Sequence, residues 1–336
     1  MRTLRWGLLG AARITRSVIP SLRAARGHEL VAVASRDAEK GRQHAAQWDI
    51  PRVTSYEGLL ADPDIDVVYI PLPNHLHAEW TIRAAEAGKH VLCEKPLALA
   101  VDEVDRVMAA ASRAGVVVAE AFMYRHHPQT MALRALATDG TIGELRVIRG
   151  TFTFNLTRPG DVRLDPSYGG GSLWDVGCYQ VSLARILAGS EPREVFGWAQ
   201  RGPTGIDEIF VGQLRFSDRL YAQFDCGFVA PFRTEAELVG TTGALRVTRP
   251  FKPTEREVLQ VWRGETIEPI EVDGIDLYVG QIEDLGAAIR EGTPPRVSLA
   301  DSRANTATLV ALYESARLGR PVSLNPTPLP EGELRD

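Results

Sequence analysis

The chain has 336 residues, of which 44% are hydrophobic and 24% charged, and its formal net charge is −5 at pH 7. This composition is typical of globular proteins, and the length favours two domains. The acidic balance gives no electrostatic reason to expect a nucleic acid or an anionic membrane as partner, and no apolar run approaches the ~20 residues that span a bilayer.

The N-terminal residues 1–7 run directly into a strand-like segment without the apolar stretch of a signal peptide. The three cysteines, Cys93, Cys178 and Cys226, lie far apart and lack the paired spacing of a metal site. A sparse, odd set of cysteines is typical of a reducing compartment. We therefore expect a cytoplasmic protein without a metal site.

Short apolar runs alternate with helix-like segments through the first third of the chain. The runs are rich in Val, Leu and Ile, as in strands buried on both faces, and comprise residues 4–9, 30–34, 67–70, 90–93 and 116–119. The segments between them have helical spacing and comprise residues 14–25, 38–48, 77–87 and 101–114. This alternation predicts an α/β Rossmann-type, doubly wound parallel sheet over residues 1–123.

The pattern changes after residue 123. A short helix is expected at 129–137, and extended segments follow at 145–154, 194–200, 209–216, 220–228, 236–240, 244–248 and 258–263. Helix-like stretches occur at 172–187, 278–291 and 299–318. We predict a second, α+β domain over residues 124–325, with a large, mostly antiparallel open sheet, for substrate binding and oligomerisation. Residues 326–336 are rich in proline and charge, so we expect a mobile tail.

The sequence GLLGAARI, residues 7–14, lies between the first strand and the first helix, where a dinucleotide-binding fold places its tight turn. Of the glycines in the usual G-x-G-x-x-G pattern only Gly10 is present, since Ala12 and Thr15 occupy the other positions. The turn alone is a weak signal, but its place in a series of βα units favours a nucleotide site. The expected cofactor contacts in this turn are Gly10, Ala11, Ala12, Arg13 and Ile14.

The second strand ends in Ser35-Arg36-Asp37, and Lys40 lies one turn into the next helix. An NAD site uses an acidic residue here to bind the ribose 2′-hydroxyl, whereas a hydroxyl and a guanidinium suit a 2′-phosphate. We therefore expect Ser35, Arg36 and Lys40 to bind NADP, with NAD as the alternative. In the competing interpretation Ser35 caps the helix and Arg36 is only solvated.

The fifth strand ends in an unusual way. Its apolar residues are followed by Glu94, Lys95 and Pro96, although a buried strand excludes lysine and proline cannot donate to a sheet. A solvated strand end is the simple explanation.

Four segments resemble the Gfo/Idh/MocA family, named for glucose-fructose oxidoreductase, inositol dehydrogenase and rhizopine catabolism. They are GLLGAARI, PLPNHLHAEWTIRAAEAGKHVLCEKPLAL, AEAFMYRHHPQ and GGGSLWDVGCYQVSLARIL, in family order and spacing. The last two are most similar to the branch with dimeric dihydrodiol dehydrogenase, sugar 1-dehydrogenases and glucose-fructose oxidoreductase. The resemblance covers nearly the whole chain and implies an NAD(P)-dependent oxidoreductase acting on CH–OH groups.

The resemblance explains the strand end. It implies that Lys95 lies beside the nicotinamide and projects into the substrate cleft, while Pro96 turns the chain, with a cis bond as one way to do so. It also makes Tyr179 the acid/base group and Asp175, four residues earlier on a helix, its orienting partner. A free tyrosine has a pKa near ~10, and a neighbouring cation favours the phenolate. We expect these three residues to be catalytic; the alternative for Tyr179 is a core tyrosine.

The remaining site residues also follow from the resemblance. Further cofactor contacts are expected from Pro71, Leu72, Asn74, His77, Glu94, Lys95 and Arg125, and substrate contacts from Lys95, Arg125, Trp174, Asp175 and Tyr179. His75 and His77 have the spacing of a metal-binding pair, but no carboxylate cluster supports a metal. His126 and His127 either help to line the cleft or have a packing or capping role. The glycines at 169–171 predict a flexible approach to the helix that carries Tyr179.

The expected reaction is NADP(H)-dependent oxidation of a sugar at C1 or reduction of a keto-sugar, with trans-dihydrodiol oxidation as the alternative. A module that senses NADP(H) without turnover is a different class, and it would not need Lys95 or Tyr179. A glycosidase that uses transient oxidation is a further alternative. Specificity is expected in the loops 154–168 and 228–233. The resemblance and an uncovered apolar sheet face predict a homodimer or homotetramer formed through the second-domain sheet.

Overall fold

The runs of Val, Leu and Ile form a six-stranded sheet in the computed structural model, which describes residues 2–324. The strands are β1 (Leu4–Leu9), β2 (His28–Ala34), β3 (Arg52–Thr54), β4 (Val67–Ile70), β5 (His90–Cys93) and β6 (Val118–Glu120). Their order is β3-β2-β1-β4-β5-β6, and all neighbouring pairs are parallel. The order reverses between β1 and β4, the position where doubly wound folds bind ligands. The predicted Rossmann-type sheet is confirmed.

The helices are α1 (Thr15–Ala24), α2 (Ala38–Gln47), α3 (Tyr56–Ala61), α4 (His77–Glu86), α5 (Val101–Ala114), α6 (Pro128–Thr138), α7 (Cys178–Ala188), α8 (Val279–Glu291) and α9 (Leu299–Leu318). Both faces of the parallel sheet are buried. Leu8 and Leu9 are adjacent in β1, and both are 0% exposed, yet they belong to different apolar clusters. Continuous apolar runs are therefore required here, because successive side chains enter opposite cores. No helix within residues 2–324 is long and apolar enough to cross a membrane.

A second sheet of nine strands confirms the predicted α+β architecture. Its strands are β7 (Leu145–Asn155), β8 (Glu194–Arg201), β9 (Asp207–Arg215), β10 (Tyr221–Gly227), β11 (Val229–Gly240), β12 (Ala244–Val247), β13 (Arg256–Arg263), β14 (Thr266–Asp273) and β15 (Val322–Ser323). Their order is β14-β13-β12-β11-β7-β10-β9-β8-β15. Only the β7–β10 pair is parallel among the described pairings.

The strands of this second sheet alternate in burial. Ile148, Phe152 and Leu214 are at most 3% exposed, whereas Trp198 and Tyr221 are 54% and 44% exposed. One face of the sheet therefore forms a core and the other, called here the outer face, is open in the single chain. The period of two explains why these segments could be predicted as strands.

The chain divides into two compact units that are not contiguous in sequence. The first comprises residues 1–126 and 276–303, and the second comprises residues 127–275 and those from 304 onward. The sequence prediction of one boundary after residue 123 placed α8 in the second domain. In the structure Ile282 and Leu285 of α8 are 0% exposed within a core cluster of the first unit, so the helix belongs there. The predicted mobile tail, 326–336, lies outside the described residues.

Candidate functional site

Four predicted cofactor segments lie at one edge of the parallel sheet. Residues 10–14 follow β1, residues 35–40 follow β2, residues 71–77 follow β4 and residues 94–97 follow β5. Because the strands are parallel, the segments after their carboxyl ends share one edge. The fold thus brings the predicted cofactor residues of the first unit to one edge from separate parts of the chain.

The first turn requires the one glycine that the motif retains. Gly10 has φ +137°, a conformation that L side chains rarely adopt, and a Cβ there would lie 3.2 Å from Leu72 Cδ2. Ala11 and Arg13 are exposed, and α1 then begins without a side-chain cap at Ile14. An open turn followed by a helix N-terminus is suited to a pyrophosphate.

Two exposed cations follow β2. The Arg36 guanidinium lies near the hydroxyl of Tyr56, which itself lies 3.9 Å from where a Gly10 Cβ would be. Burial raises the pKa of Tyr56, and the adjacent guanidinium offsets part of that effect. Lys40 is also exposed, and its Nζ lies 3.8 Å from Asp37 Oδ2. Arg36 therefore lies near the first turn, where a side chain that binds the cofactor would have to be.

The acidic residue in this segment has a structural role. Asp37 Oδ1 accepts hydrogen bonds from the backbone N–H groups of Glu39 and Lys40, at 3.0 and 3.1 Å, and so caps α2. The hydrogen bond from the Lys40 backbone N–H contributes most to lowering the pKa of Asp37. The helix cap is thus Asp37 and not Ser35, whose Oγ accepts from the Asp37 N–H at 3.2 Å. With its carboxylate at the cap, the segment favours a phosphate over a ribose hydroxyl.

The loop after β4 is bonded to the loop after β5 by a buried histidine. His77 is 1% exposed, and its Nδ1 and Nε2 each lie 2.7 Å from a backbone carbonyl oxygen, those of Pro96 and Leu72. The imidazole therefore connects the two loops, a structural role that the sequence did not predict. Pro71 is buried and Asn74 is partly exposed, and both remain candidate contacts.

Lys95 lies in the segment after β5 and is half-buried. The preceding Glu94 accepts a hydrogen bond of 2.5 Å from the hydroxyl of Tyr69, a side chain that is 0% exposed. Burial, followed by the nearby Glu94 carboxylate, raises the pKa of Tyr278 to about 12. The Lys95–Pro96 peptide bond is cis.

Arg125 lies in an ion pair that the sequence did not predict. Its Nη1 is 2.8 Å from Asp301 Oδ2, and the two side chains are 11% and 13% exposed. His126 lies beside Asp284, with 3.3 Å between Nε2 and Oδ2. Both carboxylates come from the returning segment of the first unit. Arg125 remains a candidate contact, but its orientation is set by Asp301.

In the second unit, His127 has the capping role. Its Nδ1 accepts a hydrogen bond of 3.1 Å from the backbone N–H of Gln129, and the side chain is 1% exposed at the N-terminus of α6. Of the two roles left open for this residue, the structure favours capping.

Tyr179 is the second residue of α7 and lies in an aromatic cluster. It is 5% exposed, and its ring lies 5.7 Å from that of Phe152 and 5.5 Å from that of Phe251. The stretch before it, Leu173–Gly177, is a π-helix. Short π-helical segments are frequent at functional sites, where they displace side chains from regular α-helical positions.

Asp175 and Trp174 lie in this π-helical turn, and both are partly exposed. Asp175 Oδ2 lies 3.4 Å from Arg163 Nη1, and Arg163 Nε is 2.9 Å from Asp161 Oδ1. The sequence placed Arg163 only within the loop expected to set specificity. The pairing makes it a candidate to orient Asp175.

The approach to this helix is closely packed. Gly171 has φ +130°, and a Cβ there would be 2.3 Å from Asp207 Oδ1; at Gly170 it would be 2.5 Å from the carbonyl oxygen of Arg163. The glycines thus permit close backbone packing, a role that the sequence did not predict for them.

Asp207 is the residue that these glycines approach. Its Oδ2 accepts from Ser172 Oγ at 2.8 Å and from the Leu173 N–H at 2.7 Å, and its Oδ1 accepts from the Tyr313 hydroxyl at 2.7 Å. Burial raises the pKa of this carboxyl, and the three donors oppose that effect. Asp207 therefore anchors the start of the segment that carries Asp175 and Tyr179.

Two family models match the chain. One, described as an oxidoreductase family with an NAD-binding Rossmann fold, matches residues 4–122, and the other, a GFO/IDH/MocA C-terminal domain, matches residues 130–246. The chain is 40% identical to an uncharacterized oxidoreductase of Rhizobium meliloti over 95% of this chain and 98% of that protein. It is 37% identical to D-xylose 1-dehydrogenase (NADP(+)) 2 of Haloferax volcanii, over 96% and 100%.

The fold is similar to that of a solved structure. A 3-ketoreductase from Actinomadura kijaniata, in complex with TDP-benzene and NADP, superposes with a TM-score of 0.90 and 30% identity, over 94% of this chain and 98% of that one.

Proposed function

The chain belongs to the Gfo/Idh/MocA oxidoreductase family, and we propose that it is an NADP(H)-dependent oxidoreductase of a sugar or related polyol ring. It would transfer a hydride between the nicotinamide and a hydroxyl or carbonyl carbon. The observation that carries the cofactor choice is the pair of exposed cations, Arg36 and Lys40, beside an Asp37 carboxylate that caps α2. A sugar dehydrogenase and a ketoreductase among the relatives, both named with NADP, support the substrate class.

Several features at the carboxyl edge of the parallel sheet support the proposed NADP site. The turn from Gly10 to Ile14 would hold the pyrophosphate, Ser35, Arg36 and Lys40 the 2′-phosphate, and the residues after β4 and β5 the nicotinamide half, in particular Pro71, Leu72, Asn74 and Glu94. When bound, NADP supplies the hydride donor or acceptor.

We assign the proton and charge chemistry to Lys95 and Tyr179. Oxidation of an alcohol requires its oxygen to lose a proton, and reduction requires the oxygen to gain one. Tyr179 would move this proton, and the Lys95 ammonium would bind the oxygen and favour the phenolate. Asp175, oriented by Arg163, and Trp174 would bind the sugar ring. Arg125 would contact the ligand from its ion pair with Asp301.

The test of the function is an assay of aldoses, keto-sugars, inositols and dihydrodiols with NADP(H) and NAD(H). We expect turnover with a sugar and NADP(H), either as oxidation at C1 or as reduction of a keto group. Oxidation of trans-dihydrodiols alone would favour the alternative within the class. Cofactor binding without turnover of any compound would favour the sensing module, and sugar cleavage without net change in the absorbance of reduced nicotinamide would favour the glycosidase.

Arg36→Ala is expected to raise the KM for NADP at least ~10-fold while changing the KM for NAD much less, because charge-assisted bonds to the 2′-phosphate are lost. Steady-state kinetics with both cofactors measures this selectivity. Arg42→Ala is a matched control, since that exposed arginine of α2 pairs with Glu39. Equal losses with both cofactors, or a wild-type preference for NAD, would remove Arg36 from the site.

We propose a homodimer or homotetramer formed through the outer face of the nine-stranded sheet. Trp198 and Val211 are paired across β8 and β9 and are 54% and 39% exposed there, and Tyr221 on the same face is 44% exposed. Exposed apolar side chains on a sheet are suited to a self-complementary interface. Light scattering at micromolar concentration should give a multiple of 36.8 kDa. Trp198→Asp should shift the protein towards monomer, and Val53→Asp, in the first unit, should not. A monomeric wild-type protein would contradict the proposal.

We further propose that the enzyme works in the cytoplasm. Its cysteines Cys93, Cys178 and Cys226 are free and buried, as is typical of proteins kept in a reducing compartment.

A further inference from the structure

The backbone that carries Lys95 is held immediately after that residue. His77 Nδ1 lies 2.7 Å from the carbonyl oxygen of Pro96, and Nε2 lies 2.7 Å from that of Leu72. The ring is 1% exposed, so water does not compete for these bonds. One imidazole thus connects the loop of Lys95 to the loop that precedes α4.

A second buried side chain holds the next residue of the segment. The Leu97 N–H donates to Glu120 Oε1 at 2.9 Å, and Glu120, at the end of β6, is 2% exposed. Pro96 has no N–H, so its carbonyl is the backbone group through which other elements can hold it. The bonds of His77 and Glu120 therefore fix two successive residues after Lys95.

Such fixation matters because lysine has a flexible four-carbon side chain. The location of its ammonium depends on its backbone, and a displacement of ~1 Å at a reacting group can lower a rate by roughly 10²-fold. A bond that fixes the backbone next to a lysine can therefore affect the reaction without any contact with the substrate.

We propose that His77 is a positioning residue for Lys95: through the Pro96 carbonyl it fixes the backbone from which the ammonium reaches the reacting oxygen. This inference rests on the proposed function, in which Lys95 binds that oxygen. In this proposal His77 affects the rate of the reaction, through the position of Lys95, as well as the stability of the fold.

The test compares variants of His77 that differ in hydrogen bonding. His77→Leu fills the site but removes both ring nitrogens that contact the carbonyl oxygens, and we expect kcat to fall roughly 10-fold or more with little change in the KM for NADP. His77→Gln keeps a side-chain donor and should restore most of the rate. If leucine prevents folding, His77→Ala removes the same bonds without adding volume at the ring edge.

His28→Leu is the matched control. This histidine is also buried in the first unit, at the opposite edge of the sheet, where its Nδ1 accepts from Trp6 Nε1 at 2.9 Å. The substitution should lower the melting temperature but leave kcat nearly unchanged. An equal fall of kcat in both variants would indicate a general loss of stability and would overturn the proposal.

The decisive measurement places His77→Leu in a Lys95→Ala background. If His77 acts through Lys95, the double variant should be no slower than Lys95→Ala alone, because effects of residues that act as a unit are not additive. A further ~10-fold loss in the double variant would mean that His77 acts independently of Lys95. A normal kcat in His77→Leu, with Lys95→Ala impaired, would overturn the inference and leave the proposed function intact. Normal turnover in Lys95→Ala would overturn both.

Discussion

Tyr179→Phe and Lys95→Ala are each expected to lower turnover at least ~10²-fold, the effect of losing a positioned proton-transfer group. The fold should survive, because phenylalanine can take the place of Tyr179 against the stacked rings of Phe152 and Phe251, and Lys95 is only half-buried. Circular dichroism and a fluorescence titration with NADP(H) should give values close to those of the wild type. The double variant should be little worse than the poorer single variant.

The pH dependence separates a proton-transfer role from a packing role. Oxidation by the wild type should accelerate with rising pH along a limb set by the Lys95–Tyr179 pair, because a tyrosine acts as a base only when deprotonated. Tyr179→Phe should lose this limb, and Tyr221→Phe, on the outer face, should keep it. If Tyr179→Phe keeps near-normal turnover with the same limb, another group moves the proton, and His126 beside Asp284 is the next candidate.

Asp207→Ala is expected to have the largest effect on stability. It leaves three donors without their acceptor, the hydroxyls of Ser172 and Tyr313 and the N–H of Leu173, in a site where Asp207 is 1% exposed. Each buried unsatisfied group costs ~1–3 kcal/mol, so we expect the free energy of unfolding to fall by about 3 kcal/mol or more. Urea denaturation followed by circular dichroism measures this change.

The same variant should also impair the reaction, since the anchored segment leads into the π-helix Leu173–Gly177 and then Tyr179. We expect a higher KM for the sugar and a lower kcat under conditions where the variant remains folded. Asp218→Ala is the control, because that carboxylate is 87% exposed and should contribute little. An Asp207→Ala protein as stable and active as the Asp218→Ala protein would contradict the anchoring role.

Much of the fold could be predicted because the buried faces of strands and helices require apolar residues at regular intervals in the sequence. Strands such as β4 (Val67–Ile70), buried on both faces, are apolar throughout, and helices such as α5 (Val101–Ala114) match the predicted bounds. The strand β14 (Thr266–Asp273) was missed because it lies at the sheet edge and none of its residues is buried. The strand β3 (Arg52–Thr54) has only three residues, too few for a periodic pattern.

The candidate site could be predicted only where residue types follow one another in a motif. The turn at Gly10 and the segment around Lys95 were found in this way. The partners Asp301, Asp207 and Glu120 were not, because each meets a group far away in sequence: 176 residues separate Arg125 from Asp301. His77 was found as a site residue, but its contacts with the two loops were not predicted, since its partners are backbone carbonyls that no residue type reveals.

The discontinuity of the first unit has a consequence for how the protein is made. Its core needs Ile282 and Leu285 from α8, which a ribosome adds only after the whole sheet of the second unit except β15 has been translated. The nascent parallel sheet therefore exposes an apolar surface while most of the chain is synthesised, and such surfaces attract chaperones or aggregate. A fragment ending at residue 126 should precipitate, whereas one that carries residues 276–303 on a short linker should remain in solution and bind NADP(H).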